Sequence, residues 1–172
     1  MRIFLILAIS SLLLGCISKQ DYQEDWEQVK ASASVCPDIS GTYFNYGVRT
    51  DSSYKPILSS LLGLKIAPPE NIDLVLTENS LTITDLNEHQ KDESISLRFK
   101  PEYLYCKDGH LVLEKGKFQN REGALGQEWQ TYVFSISDDG LVLNKTQSAI
   151  GMLFFIPIAG SESNWTLFKK KT

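Results

Sequence analysis

Between residues 94 and 100 every second side chain is apolar: Ile95, Leu97 and Phe99 alternate with Ser94, Ser96, Arg98 and Lys100. Successive side chains of a strand point to opposite faces, so this period buries one face and wets the other, and a helix cannot satisfy it. The same period, less cleanly kept, marks residues 40–48, 71–77, 80–86, 102–106, 110–115, 128–137, 141–147 and 164–169. Together these make about nine short strands. Glu78-Asn79, Lys107-Asp108-Gly109 and Asp138-Asp139-Gly140 supply turn formers between them, so neighbours in sequence are expected to pair antiparallel. Strands in such a series must close or stack to cover their edges. The expected fold is therefore all-β: an antiparallel up-and-down barrel of eight or nine strands with a short helical insertion, a β-sandwich being the alternative.

Two apolar stretches break the alternation. In residues 54–64 (YKPILSSLLGL), Ile57, Leu58, Leu61 and Leu62 recur at helical spacing after Pro56, with Gly63 near the end. This predicts a short amphipathic helix that plugs one end of the barrel or covers a cavity. Residues 149–159 (AIGMLFFIPIA) carry no charge. They read as a buried strand with an edge proline, or as an exposed apolar loop that enters lipid, grips a hydrophobic ligand or docks a partner. Ile57, Leu61, Leu62, Leu153, Phe154, Phe155 and Ile156 are the candidate ligand or membrane contacts. Residues 116–126 (GKFQNREGALG) read as a flexible glycine-rich connection, without the strand-to-helix setting a phosphate loop needs.

The start of the chain has its own logic. Arg2 precedes an almost wholly apolar run over residues 3–14, then the small Gly15: the order of a signal peptide, and about a dozen residues where a membrane span needs roughly twenty. Leu13-Leu14-Gly15-Cys16 resembles the lipobox of bacterial lipoproteins. That resemblance implies a diacylglycerol on the Cys16 thiol, cleavage before Cys16 and acylation of the new amine, so the membrane is a partner through an N-terminal lipid. Ile17 stands where an aspartate would favour inner-membrane retention in the enterobacterial lipoproteins it resembles. The expected location is the cell envelope, at the periplasmic face of the outer membrane. The expected organisation is a signal peptide over 1–15, a lipidated N-terminus and flexible tether over 16–35, and a single β-barrel domain over 36–172. Tyr22 and Trp26, four apart in the tether, can share a helical face or rest at headgroup level.

Cys36 and Cys106 remain, in a compartment where disulfides persist. Joined, they would close a loop of about 70 residues and stabilise the domain by roughly 4 kcal/mol; two separate buried thiols are the other reading. Gly41-Thr42-Tyr43 and the following meander resemble calycin or lipocalin-type envelope lipoproteins. Cys36-Pro37-Asp38-Ile39-Ser40-Gly41-Thr42-Tyr43 resembles the Cys-Pro-x-aliphatic-x-Gly-x-Tyr opening of small bacterial lipoproteins, a likeness that implies no activity. Tyr105-Cys106-Lys107-Asp108-Gly109 is faintly similar to the tyrosine-cysteine hairpin of periplasmic lysozyme inhibitors.

Chemistry is thinly represented. His89 and His110 lack a paired ligand motif, so no metal and no cofactor are expected, and neither a serine elbow nor a phosphate-cradling loop is present. The net charge is −4, becoming −5 once Arg2 is removed with the leader, which excludes a general nucleic-acid binder. The expected function is a noncatalytic, membrane-anchored envelope lipoprotein that binds a hydrophobic small molecule or lipid, or supports envelope maintenance. The alternative is a structural or inhibitory partner of another envelope protein.

Overall fold

The computed structural model describes residues 16–30, 36–49, 54–64, 69–86, 94–121, 124–153 and 156–171. Their elements are β1 (Cys16–Lys19), β2 (Gly41–Phe44), α1 (Leu58–Leu62), β3 (Asn71–Leu76), β4 (Ser80–Asp85), β5 (Ser94–Arg98), β6 (Leu104–Lys107), β7 (His110–Arg121), β8 (Ala124–Ser137), β9 (Gly140–Leu153) and β10 (Ile156–Lys169). One sheet has the order β1-β10-β9-β8-β7-β6 and the other β2-β3-β4-β5. From β2 to β5 and from β6 to β10 each strand pairs antiparallel with its neighbour in sequence, as the turn residues require. The Asp108-Gly109 turn takes positive φ at both residues, 51° and 76°.

The fold is all-β, but the expected closed barrel is not found among the described residues. Closure fails on strand length. Four-residue β2 meets fourteen-residue β10 only through the isolated bridges Tyr43–Lys170 and Val48–Leu167. Further along, the same edge of β10 is occupied by β1, which pairs in parallel from Cys16–Gly160 to Lys19–Ser163. At the other seam β5 leads to β6 through a local turn with one bridge, Lys100–Leu104. Two sheets therefore face each other across one core.

That core is filled from both sides: Tyr43, Ile72, Leu74, Leu81 and Ile83 come from one sheet, and Leu111, Leu113, Phe134, Leu141 and Phe168 from the other. The Tyr43 hydroxyl donates to the Ile39 carbonyl at 3.0 Å. Cys36 and Cys106 are joined, Cα to Cα 5.2 Å, tying the segment before β2 to β6. The predicted helix is present as α1 and turns Leu58 and Leu62 into the core. It ends on Gly63, whose φ of 100° lets its N–H reach back to the Ser59 carbonyl at 3.0 Å. Fully buried Asn45 fixes the approach to this helix: its amide donates to Ser59 Oγ (3.0 Å) and the Pro69 carbonyl (2.8 Å), and its Oδ1 accepts from the Ser59 N–H (2.8 Å).

One further expectation is corrected: the described residues of 116–126 are not a flexible connection, since β7 runs through to Arg121 and β8 starts at Ala124. Of the two readings of 149–159, residues 149–153 and 156–159 follow the strand one, in β9 and β10, although Ile150, Met152 and Ile158 are exposed and not buried. Glycine allows close approach here, since a Cβ on Gly151 would lie 2.5 Å from the Leu125 carbonyl oxygen of β8. Pro157 sits outside the stretch of β10 that pairs with β1, on an otherwise open edge where a missing donor is tolerated.

The segment expected to be a mobile spacer is laid across the sheet. Gln20 donates its N–H to the Ser163 carbonyl (3.0 Å) and Lys30 to the Ile136 carbonyl (2.8 Å). Between them Trp26, 7% exposed, packs on Val142 and Leu167, and the Tyr22 ring stands edge-on to Trp26 and Trp165 at 5.8 and 5.1 Å between centroids. This second apolar cluster lies on the side of β9 and β10 turned away from the core.

Candidate functional site

Strands β7 to β10 are 12 to 14 residues long, whereas the core occupies only their halves nearest the 107–110 and 137–140 turns. The other halves continue for roughly 20 Å at 3.3 Å per residue as a four-stranded ribbon. The ladders are regular from end to end, so alternation assigns every described side chain to the core side or the outer side.

The two sides differ in chemistry. On the core side Lys117 pairs with Glu128, and Lys145 and Glu162 stand on β9 and β10. There the Tyr132 hydroxyl donates to Gln130 Oε1 and Gln130 Nε2 to Glu128 Oε1, each at 2.5 Å. Lys115 donates from Nζ to the Leu61 carbonyl at 2.7 Å and lies 5.5 Å from the Tyr132 ring centroid; burial without a counter-charge lowers its pKa. A hollow of about 210 Å³ on this side is bordered by Arg49, Tyr54, Leu61, Lys145, Glu162 and Asn164.

On the outer side the described residues beyond the Thr131–Thr146 pair carry no charge. Phe118, Leu125, Trp129, Ile150 and Met152 are all exposed, Phe118 at 68% and Ile150 at 55%. Register brings them together: Leu125 pairs directly with Met152, and Gln127, opposite both Phe118 and Ile150, is the polar centre of the patch. A hollow of about 230 Å³ at the same end is bordered by Leu125, Ile150 and Met152 of this side and by Glu128, Gly126, Gly151 and Ile158, which alternation assigns to the core side.

β1 adds the position of Cys16. It runs parallel to β10 and enters from the end where Arg121 pairs with Ala124 and Leu153 with Ile156, with Cys16 opposite Gly160, about 13 Å from the start of β10. Ile17, opposite outward-facing Ser161, is 82% exposed on the patch side.

The structure separates the residues singled out from sequence. Leu62 is core, Leu61 packs against it, and Ile57 bridges to Tyr46, so these three hold the helix in place. Leu153 and Ile156 pair with each other at the far end of the β9–β10 hairpin; Phe154 and Phe155 lie outside the described residues. Sequence reading missed Phe118, Leu125 and Trp129, which stand beside alanine, glycine or polar residues; Ile150 and Met152 lay in the uncharged 149–159 run without being named as contacts, and only the register joins the five in one patch.

His110 Nδ1 lies 2.8 Å from Ser135 Oγ, a pairing that elsewhere activates a nucleophile. Here Ser135 is buried, and none of the hollows described above reaches it. Among the described residues no three His, Cys, Asp or Glu side chains gather as a metal site, and no helix is long and apolar enough to cross a membrane. No family model matches the chain, and neither a curated protein nor a solved structure matches it.

Proposed function

We propose that the protein is a noncatalytic lipoprotein of the cell envelope, anchored through acyl chains on Cys16 at the outer membrane, which holds a hydrophobic ligand or lipid at the free end of its long sheet. The supporting observation is the placement of Cys16 on β1, at the edge of the sheet and directed toward the same end as the apolar patch and the 230 Å³ hollow. Several acyl chains, at about 0.8 kcal/mol per buried methylene, hold a water-compatible domain on a bilayer without a transmembrane helix. The core between the sheets is filled with side chains, so a ligand is sought at the exposed hollow rather than in a central cavity.

Intact-mass analysis of protein extracted from its native cells tests the anchor: the chain should begin at Cys16 and carry acyl mass, and an unmodified Cys16 overturns it. Native mass spectrometry of the same material tests the cargo. A recurrent lipid mass that Ile150→Glu removes is the expected result; a bare protein mass under gentle extraction argues against carriage.

A further inference from the structure

The outer side of the long sheet meets water in two ways. Near the core its apolar residues Val142, Leu167 and Trp165 are covered by the chain itself, through Trp26 and Tyr22. Toward the free end comparable residues, Phe118, Leu125, Trp129, Ile150 and Met152, have no cover. An uncharged patch of this kind on one face, backed by lysines and glutamates on the other, is the sheet counterpart of an amphipathic helix that lies in a bilayer surface.

We propose that this face docks flat on a lipid surface, with Trp129 at headgroup depth and Leu125, Ile150 and Met152 toward the acyl chains. Three observations select lipid over a protein partner or a second copy. The strand bearing Cys16 borders the same sheet at the same end. Exposed Ile17 points from that strand to the patch side, in the row Ile17, Ser161, Ser148 and Trp129 that crosses the sheet from the anchor strand to the patch. Beyond the row of Lys19 and Glu114 that borders the patch, the described outer face carries no charge, whereas protein interfaces surround an apolar centre with polar and charged groups. The choice of lipid as the occupant rests on the anchor reading of Cys16, whereas the docking contact itself belongs to the folded domain and is tested without the anchor.

The test therefore uses the mature chain with Cys16→Ser, which carries no lipid, and vesicles of phosphatidylethanolamine and phosphatidylglycerol. The protein should co-sediment with vesicles, and its tryptophan emission should shift to the blue and be quenched by brominated acyl chains. Trp129→Phe should remove the quenching while binding persists. Leu125→Glu with Ile150→Glu should weaken partitioning by at least about tenfold, each charge having to enter or avoid the apolar layer. Lys117→Glu, on the opposite face, should change nothing. Raised salt should have little effect, because Lys19 only borders the patch and the described residues within it carry no charge.

Absence of co-sedimentation, or quenching that survives Trp129→Phe, overturns the proposal. So does a dimer in light scattering that the Leu125 and Ile150 changes dissociate, which would assign the patch to a second copy. An unmodified Cys16 in native material would remove the anchor and leave vesicle binding to be judged on its own.

Discussion

Trp26→Ala is the sharpest probe of how the N-terminal segment is held. Trp26 is almost completely buried against Val142 and Leu167, and truncating a buried tryptophan to alanine costs about 3–5 kcal/mol. Its edge-on contact with Tyr22 adds about 0.5–1.5 kcal/mol. Against this, the exposed Lys30–Asp138 ion pair contributes at most about 1 kcal/mol, and the two backbone hydrogen bonds at Gln20 and Lys30 about 1 kcal/mol each. Trp26 is thus the largest single contribution to docking. The core between the sheets includes no residue of this segment, so its loss should release residues 20–30 and leave the rest folded. In amide hydrogen exchange the Lys30 N–H, bonded to the Ile136 carbonyl, should lose protection by about a hundredfold or more, at one decade per 1.4 kcal/mol. Amides of β3 and β4 should change far less. Unchanged protection at Lys30 would refute the docking argument, and an equal loss in β3 and β4 would show that the segment and the core open as one unit.

Asn45→Ala removes three buried hydrogen bonds and leaves the Ser59 N–H and Pro69 carbonyl unpaired, so urea denaturation should show a loss of about 3 kcal/mol or more; a loss below about 1 kcal/mol would refute the keystone role. Cys36→Ser with Cys106→Ser opens a 70-residue loop and should cost about 4 kcal/mol, matched in the parent protein by a reductant in a thermal melt. Gly151→Ala places a methyl 2.5 Å from the Leu125 carbonyl and should reduce amide protection at the free ends of β8 and β9, whereas Gly116→Ala, with its nearest neighbour at 3.9 Å, should be tolerated. Burial, reinforced by Asp38 and Asp73, pushes the Tyr43 phenol up to about 12. The unfolded chain releases this proton near pH 10 and the folded chain does not, so the contribution is complete below pH 10 and falls as pH rises to about 12. Tyr43→Phe should flatten that part of the stability profile.

Much of the local structure was legible where one residue type dictates one geometry. The alternation at 95, 97 and 99 predicted β5, Asp108-Gly109 and Asp139-Gly140 predicted turns, and the spacing of Leu58 and Leu62 predicted α1. The misreadings came from residues whose meaning depends on their neighbours. Gly126 is an ordinary strand breaker until another backbone lies close enough to need it, as the Ile150 carbonyl does, and Gly116, with no backbone so close, is simply accommodated within β7. Barrel closure was inferred from the number of strands, but it is decided by length: four residues in β2 cannot pair along fourteen in β10. The docked segment was hidden because only Tyr22, Trp26 and Val29 make its apolar contacts, too few to produce a period.

The two halves of the outer face pose one physical problem. A sheet that outruns its core exposes both sides, and if water were the only neighbour of the free half, polar residues would serve on either side. The core-facing side follows that rule apart from exposed Ile158, with Lys117, Glu128, Lys145 and Glu162 in adjacent strands. The outer side departs from it with five exposed large apolar side chains and no described charge beyond the row of Lys19 and Glu114. Pairing along the ribbon does not require this, because backbone ladders form equally well beneath threonine, glutamine or lysine. The cost of leaving such a face in water, about 25 cal/mol for each Å² of apolar surface, is removed near the core by Trp26. Toward the free end the same cost calls for a cover from outside the chain, and the strand that carries Cys16 borders that half of the sheet.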